Sequence, residues 1–151
     1  MANSSKFEKL SLLARLALSK EERASVVLSQ AKDAYEAAQV QLDSLIEYEA
    51  NYLTDMRQSM SGSSNIYHLN SCQHFVAQLS TAIEQQKKLV EQADTMFQHA
   101  KDLWVKEREK RKSVERLRDE AKRLEDAQLE KKIEARILDD YVAAKYGNPK
   151  R

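Results

Sequence analysis

Apolar residues recur along the first part of the chain in alternating steps of four and three, which is the heptad pattern of a coiled coil. From Leu10 these steps reach fourteen positions, and twelve of them are apolar. The positions are Leu10, Ala14, Ala17, Glu21, Ala24, Leu28, Ala31, Tyr35, Ala38, Leu42, Leu45, Glu49, Tyr52 and Met56. The pattern predicts a first helix over about residues 5–58.

A second heptad series begins at Phe75, and fifteen of its twenty-one positions are apolar. The positions are Phe75, Leu79, Ala82, Gln86, Leu89, Ala93, Met96, Ala100, Leu103, Glu107, Lys110, Val114, Leu117, Ala121, Leu124, Gln128, Lys131, Ala135, Leu138, Val142 and Lys145. This series predicts a second helix over about residues 70–146, and the sustained period of 3.5 predicts a left-handed supercoil.

Residues 59–65 form a Ser/Gly/Asn cluster around Gly62, which predicts a loop over about residues 59–69. Asn70 or Ser71 is suited to cap the second helix, and Gly147 followed by Pro149 is suited to stop it. A short connection makes the two helices antiparallel neighbours. The sequence therefore predicts an all-α fold, an antiparallel two-helix coiled-coil hairpin that forms a single domain over residues 1–151.

The unequal helix lengths predict an overhang, because the start of helix one pairs with residues near 120 and the following part of helix two has no intrachain partner. The overhang keeps an apolar stripe that favours contact with another chain, and a frayed helix in solution is the alternative. The stripe consists of Leu124, Leu129, Ile133, Ile137, Leu138 and Val142.

Composition agrees with a helical hairpin, since the chain has two glycines, one proline and 32% charged residues. A formal net charge of +1 gives no overall attraction to nucleic acid or membranes. The charges are unevenly placed, with a net +4 over residues 101–123, a net −3 over residues 124–140 and five charged residues over 37–83. These values predict a lightly charged tip near the loop and a strongly charged stem.

The tip carries more apolar residues than a two-helix seam requires, since each helix has nearly two stripes. Leu42, Ile46 and Leu53 suit the core of helix one, and Val76, Ile83, Val90, Phe97 and Trp104 suit the seam of helix two. Beside them run two series with the spacing i, i+4, i+7, i+11. These are Gln41, Leu45, Tyr48 and Tyr52, and Phe75, Leu79, Ala82 and Gln86. They form either an exposed partner site or the edges of a broad seam.

Other local groupings predict no chemistry. His68, Cys72 and His74 lack a carboxylate, a CxxC pair and a fourth ligand, so they predict no metal site. We expect no enzyme, no catalytic residues and no cofactor, because a two-helix hairpin offers no pocket for a nucleophile. Basic residues over 106–123 alternate with acidic ones, which favours a solvated face with ion pairs such as Glu107–Arg111 and Asp119–Arg123. Nucleic acid or an acidic protein surface remains the alternative partner.

Two sequence blocks resemble the flagellar FliJ protein family. The first is QLDSLIEYEANY at residues 41–52, and the second combines FVAQL at 75–79 with AIEQQ at 82–86. The LWVK run at 103–106 and the charged carboxyl-terminal helix also fit, so that the resemblance covers most of the chain. The two tip blocks are its specific part, because the stem has a generic coiled-coil pattern.

The resemblance implies a coiled coil similar to the γ-subunit stalk of rotary ATPases. Such a protein acts without catalysis in the flagellar type III protein export apparatus. The implied partners are the export ATPase ring, which receives the end opposite the loop, the cytoplasmic domain of the export-gate membrane protein, and export chaperones. No nucleic acid and no small-molecule substrate is implied. The implied location is cytoplasmic, at the inner face of the inner membrane at the flagellar base.

The gate-binding stripe of the family falls on the eight residues that form the extra series of the tip. They are Gln41, Leu45, Tyr48, Tyr52, Phe75, Leu79, Ala82 and Gln86. The resemblance thereby favours exposure of this stripe, although Gln86 stands where the family has a histidine. Two alternatives remain, namely the stalk of a virulence type III secretion system and a basic helical hairpin that binds nucleic acid.

Overall fold

The computed structural model describes residues 5–60 and 66–147, which form two helices. Helix α1 spans Lys6–Met60 and helix α2 spans Ile66–Tyr146. Contacts between the helices run in opposite directions along the chain, since Tyr35 meets Phe97 whereas Tyr52 meets Phe75. The predicted all-α fold class, an antiparallel hairpin with a longer second helix, is confirmed.

Helix α2 begins four residues before the predicted start at residue 70. Asn70 and Ser71 lie inside the helix, so the prediction that one of them caps it is wrong. The reason is visible in the sequence, because Ile66–Leu69 contains no glycine, proline or other helix breaker. The predicted bend at Gly62 lies outside the described residues.

The amino terminus of α1 is capped by Ser5, which precedes the helix, and by a side chain of α2. The hydroxyl oxygen of Ser5 accepts a hydrogen bond from the backbone N–H of Glu8 at 3.1 Å, which is an N-cap contact. The backbone N–H of Phe7 donates to Oε1 of Glu125 at 3.4 Å. A carboxylate at this position also complements the positive end of the helix dipole.

Helix α2 ends as its sequence predicts. Gly147 has a φ of +74°, and its N–H donates to the carbonyl oxygen of Ala143 at 3.1 Å. This geometry is the left-handed cap that glycine adopts without a steric penalty. Pro149 lies outside the described residues.

The described chain divides into two compact units. The stem unit contains residues 5–22 and 106–147, and the tip unit contains residues 23–60 and 66–105. In the tip unit, the core consists of buried Leu42, Leu79 and Ile83, with Leu45, Phe75 and Val90 packed against it. The rings of Tyr35 and Phe97 stack with their centroids 5.9 Å apart.

The heptad series of α1 is confirmed along its whole length, since all fourteen positions are buried or half-buried. On α2 every position of the series from Phe75 lies in the seam as far as Gln86, and beyond it only every second position stays there, such as Ala93, Ala100 and Ala121. Beyond that point its members Leu89, Met96 and Leu103 are exposed. Their neighbours Val90, Phe97 and Trp104 are half-buried instead, as the alternative seven-residue series predicts.

An ion-pair network crosses the two helices of the stem unit. The Nε of Arg111 donates to Oε2 of Glu21, and a second guanidinium nitrogen of Arg111 donates to Oε2 of Glu115 at 2.9 Å. Hydrogen bonding to Glu21, followed by that to Glu115, raises the pKa of Arg111. The predicted Glu107–Arg111 pair is therefore wrong, and Glu107 instead places its Oε1 3.8 Å from Nζ of Lys110.

Candidate protein-binding sites

An aromatic cluster of three rings lies in the tip unit. The Phe75 ring lies between two tyrosines of α1, with its centroid 4.6 Å from that of Tyr52 and 6.2 Å from that of Tyr48. The Tyr48 contact is edge-on at 67°, a favoured arrangement of aromatic pairs. Because the Tyr48 side chain remains 53% exposed, this cluster presents an aromatic surface to solvent.

The structure separates the predicted gate-binding stripe into surface and seam positions. Gln41 and Tyr48 are exposed, and Leu79 is buried, with 7% of its surface exposed. The other five members are half-buried, namely Leu45, Tyr52, Phe75, Ala82 and Gln86. The expectation that the stripe is exposed as a whole is therefore wrong, because most of its members pack between the helices.

Gln86 shows why part of the stripe belongs to the seam. Its side-chain Nε2 donates to the backbone carbonyl oxygen of Ala38 on α1 at 3.0 Å. This amide joins the two helices within the tip unit. The carbonyl oxygen of Ala38 therefore provides a hydrogen-bond partner for the Gln86 amide, which is half-buried between the helices.

Tyr52 also contacts Cys72, a pairing that sequence reasoning missed. The side-chain hydrogen bond with Cys72 is the main cause that raises the pKa of Tyr52 above its ordinary 10.0, followed by burial. The buried Cys72 in turn places its Sγ 3.7 Å from Nε2 of His68, whereas His74 contacts Gln78 at 3.2 Å. In the sequence, the i, i+4 spacing of His68 and Cys72 indicates the contact between these two side chains, but nothing indicates the contact with Tyr52.

The raised pKa of Tyr52 predicts a pH-dependent stability. A folded-state pKa above the unfolded value means that the protonated phenol stabilises the fold below pH 10.0, and this contribution is lost as the pH rises through the folded-state pKa. Replacing Tyr52 by phenylalanine is expected to reduce stability near neutral pH, and the difference from wild type should narrow above pH 10.0. Urea unfolding at several pH values measures this stability difference. Cys72→Ala is the control, because it removes the hydrogen bond that is the main cause of the raised pKa of Tyr52. A constant difference across the pH range would contradict the prediction.

The end of α2 forms the predicted overhang in the stem unit. After Glu125, which contacts Phe7, every residue from 126 to 147 is exposed, and the helix continues to Tyr146. Its exposed apolar residues include Leu129, Ile133, Ile137, Leu138 and Val142. No described residue of α1 covers them, so this stretch offers an unpartnered surface to another chain.

The basic segment of α2 makes contacts with its own neighbours. The Arg118 side chain donates to Asp119 at 3.1 Å, in place of the predicted Asp119–Arg123 pair. Arg116 donates to the hydroxyl of Ser113 at 3.4 Å, and Lys110 lies beside Glu107. The acidic and polar neighbours thus distribute the positive charge around the helix rather than leaving one continuous basic face.

Neither α1 nor α2 contains a stretch that is both long and apolar enough to span a membrane. Within residues 5–60 and 66–147, no group of three or more His, Cys, Asp or Glu side chains is arranged to hold a metal ion.

Two paired helices with aromatic and aliphatic side chains at the surface define an antiparallel coiled-coil protein. The family model described as flagellar FliJ protein matches residues 5–151. The chain belongs to this family, whose members are non-enzymatic parts of the flagellar export apparatus, and it is a component of that apparatus. Comparisons with curated proteins and with solved structures give no match.

Proposed function

We propose that the chain is the stalk of the flagellar type III export apparatus. Its stem unit engages the export ATPase ring, and its tip unit binds the cytoplasmic domain of the export-gate membrane protein. It acts without catalysis, escorts export chaperones, and works in the cytoplasm at the inner face of the inner membrane. Membership of a flagellar family supports this role over that of a virulence secretion stalk.

The observation that carries the proposal is that both units hold exposed apolar side chains. In the tip unit, the ring of Tyr48 contacts the ring of Phe75 edge-on, and Tyr48 otherwise remains exposed to solvent. A tyrosine held in place by a neighbouring ring suits a binding anchor, because little side-chain entropy is lost on binding. Gln41 lies seven residues before Tyr48 on the same helix face and extends this surface.

The stem unit supplies a different kind of surface. Residues 126–146 carry aliphatic side chains together with many charges, with a net −3 over residues 124–140. A helix of this composition can enter a lumen lined by polar loops and still bury apolar side chains against them. We assign the ATPase contact to this overhang.

Replacing Tyr48 by alanine is expected to weaken binding of the gate domain by about tenfold or more, since it removes an aromatic anchor. The hairpin should keep its helicity because Tyr48 lies outside the buried core. Isothermal titration of the purified gate domain measures the affinity, and circular dichroism measures the helicity.

Tyr141→Ala is the matched control, because Tyr141 is 56% exposed and lies in the stem unit. This variant should bind the gate domain as the wild type does. If Tyr48→Ala bound the gate domain with wild-type affinity, the gate contact would have to be assigned elsewhere.

A further inference from the structure

A groove with an apolar floor and a basic rim lies between the helices of the stem unit. It has a volume of about 570 Å³, and Leu13, Leu16 and Ala17 of α1 face Val114 of α2 across it. The rim includes three lysines, Lys20, Lys106 and Lys110, with Glu107, Glu109 and Ser113 between them. Leu13 and Leu16 are each about half exposed, so the floor of the groove is accessible to solvent.

Lysine dominates the exposed charge of the rim. Glu107 is only 14% exposed and lies against Lys110, which leaves Glu109 as the exposed carboxylate beside three ammonium groups. Leu117 follows Ser113 by one helical turn and is also exposed, so the apolar surface extends along α2. The groove therefore suits a helix that combines aliphatic and acidic side chains on one face.

The overhang of the same chain has such a face. Leu129, Ile133 and Ile137 follow one another at i, i+4 spacing and form one ridge. Asp126, Glu130 and Glu134 form the adjacent ridge, each three residues before an aliphatic one, and Asp140 follows Ile137 by three. The basic residues of this stretch, Lys131, Lys132 and Arg136, lie around the helix on the other side.

We infer that the chain pairs with a second copy of itself, with the overhang of each copy in the stem groove of the other. Both surfaces are unpartnered in the described structure and have complementary charge. Lys106 to Val114 and Leu129 to Ile137 each cover about 12 Å of helix, so the two surfaces also match in length. This inference concerns the free chain, because an overhang seated in a second copy cannot contact the export ATPase at the same time. It stands on the stem unit alone and does not depend on the export function.

One antiparallel register satisfies both contacts. Placing Glu130 opposite Lys110 puts Glu134 opposite Lys106, because both pairs are four residues apart in opposite directions. A two-fold axis then repeats every contact, which is the usual symmetry of a homodimer.

Charge reversal on each surface tests this pairing by sedimentation equilibrium of the full chain. One variant carries Lys106→Glu with Lys110→Glu, and the other carries Glu130→Lys with Glu134→Lys. Each variant alone should dimerise about tenfold more weakly, because four opposed pairs become like-charged in a two-fold dimer. An equimolar mixture should regain dimers of wild-type affinity, because each heterodimer contains one swapped groove contact and one native groove contact.

Lys131→Glu with Lys132→Glu is the matched control, because it changes the net charge equally on the other side of the overhang. It should dimerise like the wild type. A wild-type chain that stays monomeric at about 0.1 mM would overturn the inference and leave the groove to a different protein. Equal weakening by the control, or a mixture without recovered dimers, would also overturn it.

Discussion

Replacing Leu79 by alanine is expected to lower the free energy of unfolding by about 2–5 kcal/mol, the range for removing a large aliphatic side chain from a packed core. Leu79 is buried and packs with Leu42 and Ile83 in the tip unit. Loss of its side chain leaves a cavity between two helices that have few other buried residues nearby. Urea unfolding followed by circular dichroism measures the change.

Leu89→Ala provides the comparison, since Leu89 is on the same helix but 52% exposed. Leu89→Ala should lower the free energy of unfolding by well under half as much as Leu79→Ala, because little apolar area is removed from the protein interior. Equal losses in the two variants would contradict the assignment of Leu79 to the core. The expected loss also explains why Leu79 is unsuitable for testing the gate contact, since altered binding would reflect altered folding.

Ending the chain after Glu125 is expected to abolish most of its stimulation of the export ATPase, because the deletion removes the whole exposed overhang. Stability should change little, since residues 126–147 make few contacts with α1 and Glu125 keeps its contact with Phe7. Hydrolysis by the ATPase with saturating amounts of each chain measures stimulation. A thermal melt of the shortened chain measures its stability.

Tyr48→Ala makes the reciprocal comparison for this deletion. The shortened chain should bind the gate domain normally and fail to stimulate the ATPase, whereas Tyr48→Ala should show the opposite behaviour. Full stimulation by the shortened chain would contradict the placement of the ATPase contact on the overhang. Loss of gate binding in the shortened chain would contradict the separation of the two surfaces.

The heptad series locates the seam completely on α1 and only in part on α2. All heptad positions of α1 turn towards α2, whereas adjacent apolar residues such as Leu13 and Val27 are exposed. Ile46, which the sequence places in the core, is exposed as well, so that prediction is wrong. On α2 adjacent apolar residues such as Leu89 and Val90, or Met96 and Phe97, compete for the same seam position. Periodicity alone cannot choose between neighbours, since the choice depends on packing against the opposite helix.

The sequence likewise predicts one candidate surface, the overhang, better than the other, the tip stripe. The overhang follows from helix lengths and is present as predicted, whereas the tip stripe mixes residues that face solvent with residues that pack inwards. Tyr48 and Leu79 belong to two series with the same spacing, yet the first is exposed and the second is buried. The contact between Tyr52 and Cys72 joins residues twenty positions apart on different helices, so it depends on a register that local spacing does not specify.

The ion pair between Arg111 and Glu21 has a consequence for alignment of the two helices. Most seam positions nearby are alanine or other small apolar residues, which offer little resistance to sliding. Moving one helix by a heptad would place the Arg111 guanidinium against an apolar position. Half-buried Glu21 would then lose its partner, and Arg111 would keep only Glu115. The ion pair therefore opposes sliding of one helix along the other. A force applied at one end of the hairpin is then transmitted along it instead of making the helices slide.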